Sequence, residues 1–211
     1  MLFRSGQIAI TMNGVQALRW RQKALTTDEQ STKTAMEHEV QDQVPDGVKV
    51  KLNRILSLDD SKMTLDAIFD VSGNLGTPTG KRVFLPAAFF ETKTKPIFAA
   101  EKRENPIDLR YPSAVQDVVT ITLPPGLSVE SLPKSVTNVV PIGAEYKSVY
   151  SDTGNVCKQV RLLALANTLF PTKDYPQLRT FYQDAATQDQ QQLVLGRTAA
   201  ATVVPSAAKG Q

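Results

Sequence analysis

The chain has very few of the residues that most enzymes use as nucleophiles, bases or metal ligands. Its 211 residues include one cysteine, Cys157, and one histidine, His38. A single cysteine cannot form an internal disulfide, so packing must hold the fold together. Two N or S ligands are also too few for a structural zinc site. These scarcities argue against a disulfide scaffold and a zinc protein, and leave carboxylates or a serine as the options for catalysis.

The chain also lacks long apolar runs and a strong charge of one sign. No apolar segment approaches the ~20 residues that span a bilayer, so we predict no membrane-spanning segment. Lysine and arginine (24) nearly balance aspartate and glutamate (21), which gives a formal net charge of +3. A charge this small does not indicate a nucleic-acid partner. With 41% hydrophobic and 21% charged residues, the composition is typical of a globular protein with a core.

The patterns in residues 6–102 predict a β-rich unit with one surface helix. Two alternating runs, 7–12 and 17–24, flank Asn13-Gly14 and indicate a hairpin. Thr27 and Gln30 have capping-box spacing and open a polar helix over 27–43. Further strands are predicted at 48–56, 63–71 and 81–85; the second of these has strict period two.

Residues 103–196 predict an Ig-like β-sandwich closed by a helix. Strands are expected at 115–123, 127–129, 136–140, 144–150, 156–165 and 193–195, with a hairpin turn at 152–155. Leu178, Phe181, Tyr182 and Ala185 have helical spacing within a helix over 174–189. The fold class is therefore mainly β, with two sandwich-like units and two short helices, and residues 197–211 are expected to be a flexible tail.

The candidate chemical groups are better explained as structural residues. Cys157 lies in a strand pattern, and His38 lies between two glutamates on the polar helix. The aspartates at 59, 60, 66 and 70 lack the loop of a calcium site, and 59–60 is a good turn pair. The glycine-rich segment 73–80 lacks the Gly-Lys-Ser/Thr ending of a phosphate loop. We predict no catalytic, cofactor-binding or metal-binding residue.

Aromatic residues supply the one speculative binding surface. Trp20, Tyr111 and Tyr150, if exposed together on one sheet face, could line a cleft for a sugar or a peptide. Packing in the core or against a sheet is the simpler role for most aromatics in the chain. An exposed cluster would favour a carbohydrate- or peptide-binding module, and buried or scattered rings would favour a protein-interaction module.

Several runs resemble the C-terminal region of bacterial transglutaminase-like proteins. They are DVVTITLPPG at 117–126, SLP at 131–133, DYPQLRTFY at 174–182, GKRVFLP at 80–86 and the phenylalanine pair at 89–90. The resemblance covers roughly residues 6–195. Members of this group are large extracytoplasmic proteins with an N-terminal β-rich domain of unknown function, a central transglutaminase-like core and a C-terminal β-rich region.

The resemblance implies an accessory role. In that family the core places Cys before His before Asp, with the Cys at a helix start, whereas His38 here precedes Cys157 and Cys157 lies on a predicted strand. No catalytic residue therefore transfers to this chain. The implied function is a non-catalytic accessory or interaction module that contacts a transglutaminase-like core or a cell-envelope partner, and the implied location is periplasmic or extracellular.

Two further expectations complete the sequence-based interpretation. A stand-alone hydrolase would need two carboxylates converging in a cleft about 5–10 Å apart, and no spacing in the sequence selects such a pair. Residues 1–5 (MLFRS) match one reading frame of a common sequencing adaptor. We therefore hypothesise that they are a cloning or assembly scar on a fragment of a longer protein.

Overall fold

The computed structural model describes residues 5–93 and 97–197. Within these ranges the chain forms three α-helices, a short 3-10 turn (Thr172–Asp174) and thirteen strands that all pair antiparallel. The mainly β fold class is thus confirmed, but the prediction of two helices is wrong because the structure has three. Residues 1–4 and all of the predicted tail 197–211 except Arg197 lie outside the described residues.

The first sheet consists of β1 (Ser5–Met12), β2 (Val48–Leu56) and β3 (Leu65–Gly73), with β3 in the centre. In β3, Leu65, Ala67, Phe69 and Val71 are buried and alternate with more exposed residues. This is the pattern that a strand with one face on the core requires. The strand predicted from period two is confirmed, shifted by two residues.

The predicted hairpin around Asn13-Gly14 is wrong, because residues Gly14–Thr26 form helix α1. The alternation of basic and apolar residues in 17–24 was the misleading signal. Ala17 and Trp20 are three positions apart and are both buried, so they form the apolar stripe of a helix. The run is also rich in Ala, Leu, Arg, Gln and Lys, which are strong helix formers, and poor in β-branched residues.

The second helix, α2 (Glu29–Gln43), confirms the predicted polar helix but begins differently. Asp28 is the N-cap, and its carboxylate accepts a hydrogen bond from the backbone N–H of Ser31 at 2.8 Å. Thr27 instead bonds back to the Lys23 carbonyl at the end of α1. The cap lies one residue after the predicted capping box because Thr27 is used to end the preceding helix.

A four-stranded sheet has the order β7-β11-β10-β9. Its strands are β7 (Ser113–Thr122), β9 (Val136–Val140), β10 (Ala144–Asp152) and β11 (Val156–Leu165). The predicted hairpin between the last two is confirmed by the pairing of Asp152 with Cys157, and Gly154 in the turn has φ +82°. All four strands lie close to their predicted positions.

Another four-stranded sheet takes strands from both sides of the predicted 102/103 boundary. It contains β4 (Thr77–Thr79), β5 (Arg82–Pro86), β8 (Leu127–Ser131) and β13 (Gln192–Arg197) in the order β4-β5-β13-β8. The remaining strands, β6 (Ile107–Asp108) and β12 (Leu169–Phe170), form a two-stranded pair. The division into two units stays a prediction, as does the Ig-like character of the second.

The buried apolar residues form two clusters. The larger joins α1, α2 and the first sheet to Leu123, Cys157, Leu193 and Leu195. The smaller lies under α3 (Tyr175–Asp189), where Leu178 and Phe181 are fully buried, so the predicted docking of this helix on a sheet is confirmed. No helix in the described ranges is long and apolar enough to cross a membrane.

Candidate functional site

A groove of about 700 Å³ is lined by β1 and β7 along nearly their whole lengths. All eight residues of β1 and residues 114–122 of β7 contribute to it. The rest of the lining is mixed: buried or half-buried apolar side chains such as Trp20, Met36 and Phe90 lie beside polar ones such as Gln16 and Gln43. We call this feature the β1–β7 groove. Its volume is within the range of clefts that bind ligands.

Both strands have an open edge, meaning a side with no strand partner among the described residues. β1 pairs only with β3, and β7 pairs only with β11. The sequence of β1, SGQIAITM, carries no charge, and β7, SAVQDVVTIT, carries only Asp117. The registers of both strands are continuous. Long, regular and uncharged edges are the ones that most readily accept a further strand.

The opposite edge of the first sheet is covered by side chains from α2. Gln41 donates from Nε2 to the Val48 carbonyl at 2.8 Å and accepts at Oε1 from the Val50 N–H at 2.9 Å. Glu37 accepts from the Leu52 N–H at 2.7 Å. These bonds satisfy backbone groups of β2 that would otherwise be available to another strand.

The other outer strands carry the usual protections against pairing. β2 has three basic residues and a bulge between Leu52 and Arg54, β4 is three residues long and contains Pro78, and β8 carries Glu130, which is ion-paired with Arg82. β9 is uncharged but only five residues long. Charges, bulges, proline and shortness all discourage edge pairing. The open edges of β1 and β7 therefore differ from the other outer strands in being both long and unprotected.

Beside the groove, a buried arginine holds three carboxylates. Arg161 on β11 makes a two-pronged contact with Asp189 at the end of α3, from Nε to Oδ1 at 2.7 Å and from Nη2 to Oδ2 at 2.8 Å. Its Nη1 lies 3.3 Å from Glu91 Oε1 and 3.4 Å from Asp117 Oδ2. The Tyr146 hydroxyl donates to Asp189 Oδ1 at 2.8 Å. We call these five residues the Arg161 cluster.

The electrostatics of the cluster are those of partly desolvated acids. Burial raises the pKa of Asp117, nearby Arg161 opposes the rise, and the negative charges of Glu91 and Asp189 add to it. Burial and the Asp189 carboxylate likewise raise the pKa of the Tyr146 hydroxyl. Asp117 also lines the groove, so the cluster supports the groove wall from behind. The carboxylates of Glu91, Asp117 and Asp189 converge on the guanidinium group of Arg161, whereas a carboxylate hydrolase needs a pair that faces an open cleft.

The three aromatic residues of the speculative binding surface lie on separate elements. Trp20 is buried in α1, with 4% of its surface exposed. Tyr111 is 56% exposed in the segment before β7. Tyr150 is half-buried in β10, and its hydroxyl accepts from Gln159 Nε2 at 3.4 Å. The groove lining includes Trp20 and neither tyrosine.

Cys157 and His38 have the structural settings that the sequence predicts. Cys157 is buried on β11, where burial and the nearby Asp152 raise the pKa of its thiol to about 11. Its thiol is therefore protonated at neutral pH and is a poor nucleophile. His38 is exposed on α2, with Nδ1 3.1 Å from Asp42 Oδ2, one helical turn away.

The aspartates and the glycine-rich loop also have structural roles. The Asp60 carboxylate accepts from the Lys62 N–H at 2.9 Å, which is a turn contact. Asp66 and Asp70 accept hydrogen bonds from Thr11 and Gln7 across the β1–β3 pair. At the start of the loop, Gly73 has φ +135°, and a Cβ there would lie 2.0 Å from the Gly47 carbonyl oxygen. This glycine permits the close approach of two backbones.

Neither the groove nor the Arg161 cluster is apparent from sequence motifs. One signal did point to the cluster: Arg161 and Asp117 interrupt runs of apolar residues within two strongly predicted strands. A charge in a half-buried strand requires a partner, but the partners Glu91 and Asp189 are distant in sequence. The groove depends on which strands end at sheet edges, and that is a property of the strand order.

Comparison with known proteins gives few matches. Among curated proteins, none is significantly similar in sequence. The crystal structure of a candidate protease from Parabacteroides distasonis matches 74% of this chain, with 16% sequence identity and a TM-score of 0.41. The match covers 25% of that protein, so the chain spans about a quarter of its length.

A family match covers the central and C-terminal parts of the chain. It extends over residues 81–195, from the strand β5 through β13, and so includes β7, the Arg161 cluster and α3. The matching family is described as a domain of unknown function with a solved structure. Because the match spans more than half of the 211 residues, the chain belongs to this family, DUF3858.

Proposed function

We propose that this chain is a non-catalytic interaction module of a transglutaminase-like protein, and that it binds a protein partner through the β1–β7 groove. The observation that carries the proposal is the pair of long, unprotected strand edges that line one groove. Such edges offer backbone N–H and C=O groups, and the apolar side chains between them offer surface to bury. A protein segment can use both.

The positions of the reactive groups support a binding role over a catalytic one. The Cys157 thiol is buried in a strand, and its raised pKa keeps it protonated. Asp117 and Asp189 are bound to Arg161, where they balance a buried cation. Groups in these positions stabilise the fold, and each would need to leave its partners to act on a substrate.

The transglutaminase-like context rests on the sequence resemblance. The runs 117–126 and 174–182, which carry the resemblance, both lie inside the matched residues 81–195. A periplasmic or extracellular location is part of the same proposal, because the proteins that the chain resembles are extracytoplasmic.

The genomic sequence around the coding segment tests the proposed context. We expect an in-frame transglutaminase-like core in which Cys, His and Asp occur in that order. This core, purified separately, should bind the chain in isothermal titration calorimetry. A locus that encodes only residues 1–211, or a core that does not bind the chain, would contradict the proposal.

Activity assays on the purified chain test the non-catalytic part. We expect no hydrolysis of casein and no incorporation of a fluorescent amine into casein. Asp117→Asn and Cys157→Ser serve as the discriminating variants. If the chain shows turnover that either substitution abolishes while its circular dichroism spectrum is unchanged, it is an enzyme and the proposal is wrong.

A further inference from the structure

The open edge of β7 has the composition of a strand that pairs on both sides. Six of its ten residues are β-branched (Val115, Val118, Val119, Thr120, Ile121 and Thr122). Val115 and Val118 point to opposite faces, and both are exposed, Val118 to 54%. An outer strand usually carries several charged residues, whereas the single charge of β7, Asp117, is paired with Arg161 on the neighbouring strand. β7 has the residues of an inner strand at an outer position.

Both charged side chains of the groove lining already have an ion-pair partner in this chain. The lining contains two charged residues, Asp117 and Glu39. Asp117 contacts Arg161, and Glu39 accepts from Arg19 Nη2 at 2.7 Å. A charged side chain of a partner would therefore lose hydration in the groove and would meet carboxylates that are already engaged by Arg161 and Arg19. An uncharged partner would not incur this loss.

We infer that the β1–β7 groove binds an extended, uncharged polypeptide strand that pairs with the open edge of β7. This inference rests on the proposed function and names the chemistry of the partner. The partner strand contributes backbone hydrogen bonds to β7, and its alternate side chains cover the apolar lining around Phe69 and Phe90. Its recognition pattern is therefore apolar residues at every second position, without proline, lysine, arginine or acidic residues.

The length of the groove sets the length of the partner. β1 lines the groove with eight residues, and eight residues of antiparallel strand extend for about 27 Å. A segment of about eight residues fills the space. A second copy of this chain would have to insert the edge of a whole sheet between β1 and β7, whereas a single extended segment needs the width of one strand. This geometry favours a segment over a second copy.

A phage-displayed library of random ten-residue peptides, selected on the full chain, provides the probe. We expect the enriched peptides to alternate apolar and uncharged polar residues and to lack proline. Val118→Lys should weaken the binding of the best peptide at least about tenfold in fluorescence anisotropy, because it places a charge beside the pairing edge. Val139→Lys is the matched control, since Val139 is 67% exposed on β9, at the opposite edge of the same sheet. It should leave peptide affinity unchanged.

Each remaining outcome decides against the inference. The inference is wrong if no peptide is enriched, or if the enriched peptides are charged or rich in proline. It is also wrong if Val118→Lys and Val139→Lys lose peptide affinity equally. A dimer in sedimentation velocity that Val118→Lys converts to a monomer would also overturn it, because the occupant would then be a second copy. If Val118→Lys does not fold, Thr120→Lys, also exposed on β7, takes its place.

The same experiments separate this inference from the proposed function. If the transglutaminase-like core binds the chain and Val118→Lys binds that core with wild-type affinity, the interaction role holds and the strand-pairing inference fails. If the selected peptides bind at β7 but the transglutaminase-like core does not bind the chain, the strand-pairing inference holds and the transglutaminase-like role fails.

Discussion

Arg161 connects several elements of the second half of the chain through one buried guanidinium. It is buried, its guanidinium forms two short bonds with Asp189, and Asp117 and Glu91 lie at its third nitrogen. Hydrogen bonds between a planar guanidinium and a carboxylate are among the strongest in proteins. The residue joins β11 to β7 and to the end of α3, so its loss affects three elements at once.

Replacing Arg161 with methionine should destabilise the protein by about 3–5 kcal/mol, since it leaves buried carboxylates without their cation. Urea unfolding followed by circular dichroism measures the change. Lys158→Met is the matched control, because Lys158 is exposed on the same strand and should change stability by less than about 0.5 kcal/mol. If Arg161→Met lowers the free energy of unfolding by less than about 1 kcal/mol, the buried carboxylates do not depend on this cation.

Asp117 should give the folded protein a characteristic pH dependence. Because burial raises the pKa of Asp117 above its ordinary 3.8, the folded state binds this proton more tightly than the unfolded state. The contribution of Asp117 to stability is therefore greatest at low pH and is lost as the pH rises from 3.8 through the folded pKa. Urea unfolding from pH 3.5 to 7 should show this decline in the wild type relative to Asp117→Asn. A difference between the two that is independent of pH would contradict the raised pKa.

At the scale of elements, helix α3 is anchored by fully buried rings, of which Phe181 lies near its middle. Phe181 contacts the smaller apolar cluster and stacks edge to face with Tyr182 at 5.5 Å between ring centroids. Phe181→Ala should cost about 3–5 kcal/mol, because it removes the buried surface and leaves a cavity. The neighbouring Gln183 is exposed, so Gln183→Ala is the control. An unchanged urea midpoint for Phe181→Ala would refute the docking of α3.

Elements with one clear hydrophobic periodicity were predictable from the sequence. Elements whose residues fit both a strand and a helix periodicity were not. β2, β9 and β11 lie where alternation places them, because each has one face on the core. In α1 the residues 17–24 fit both period two and a helical stripe, and packing of Trp20 against the first sheet decided for the helix. Local pattern alone could not distinguish the two.

The candidate site depends on strand order, which local patterns do not contain. β7 was predicted as a strand. Its position at the edge of the sheet could not be predicted, because it depends on β11 being its one strand partner among the described residues. Likewise, Glu91 and Asp189 meet at Arg161 only after the sheet and α3 have packed. A site made of backbone edges leaves no motif of reactive residues in the sequence.

For the whole molecule, the shared sheet links the N-terminal and C-terminal parts of the chain. β5 pairs with β13, and β13 pairs with β8, so residues from before and after position 102 form one hydrogen-bonded unit. Leu85 and Leu195 are fully buried in the same apolar cluster as Trp20. This arrangement implies that the two predicted units unfold together.

Leu195→Ala tests that coupling, because Trp20 is the sole tryptophan and reports on the N-terminal part. Truncating this fully buried leucine should cost about 2–5 kcal/mol. If the units are coupled, the urea midpoint from Trp20 fluorescence falls as far as the midpoint from circular dichroism, since a single cooperative transition gives the same curve by both probes. Leu169→Ala, at an exposed residue of β12, should leave both midpoints in place. A Trp20 midpoint that stays at the wild-type value while the circular dichroism midpoint falls would show two independent domains, with the boundary near residue 102 as the sequence predicts.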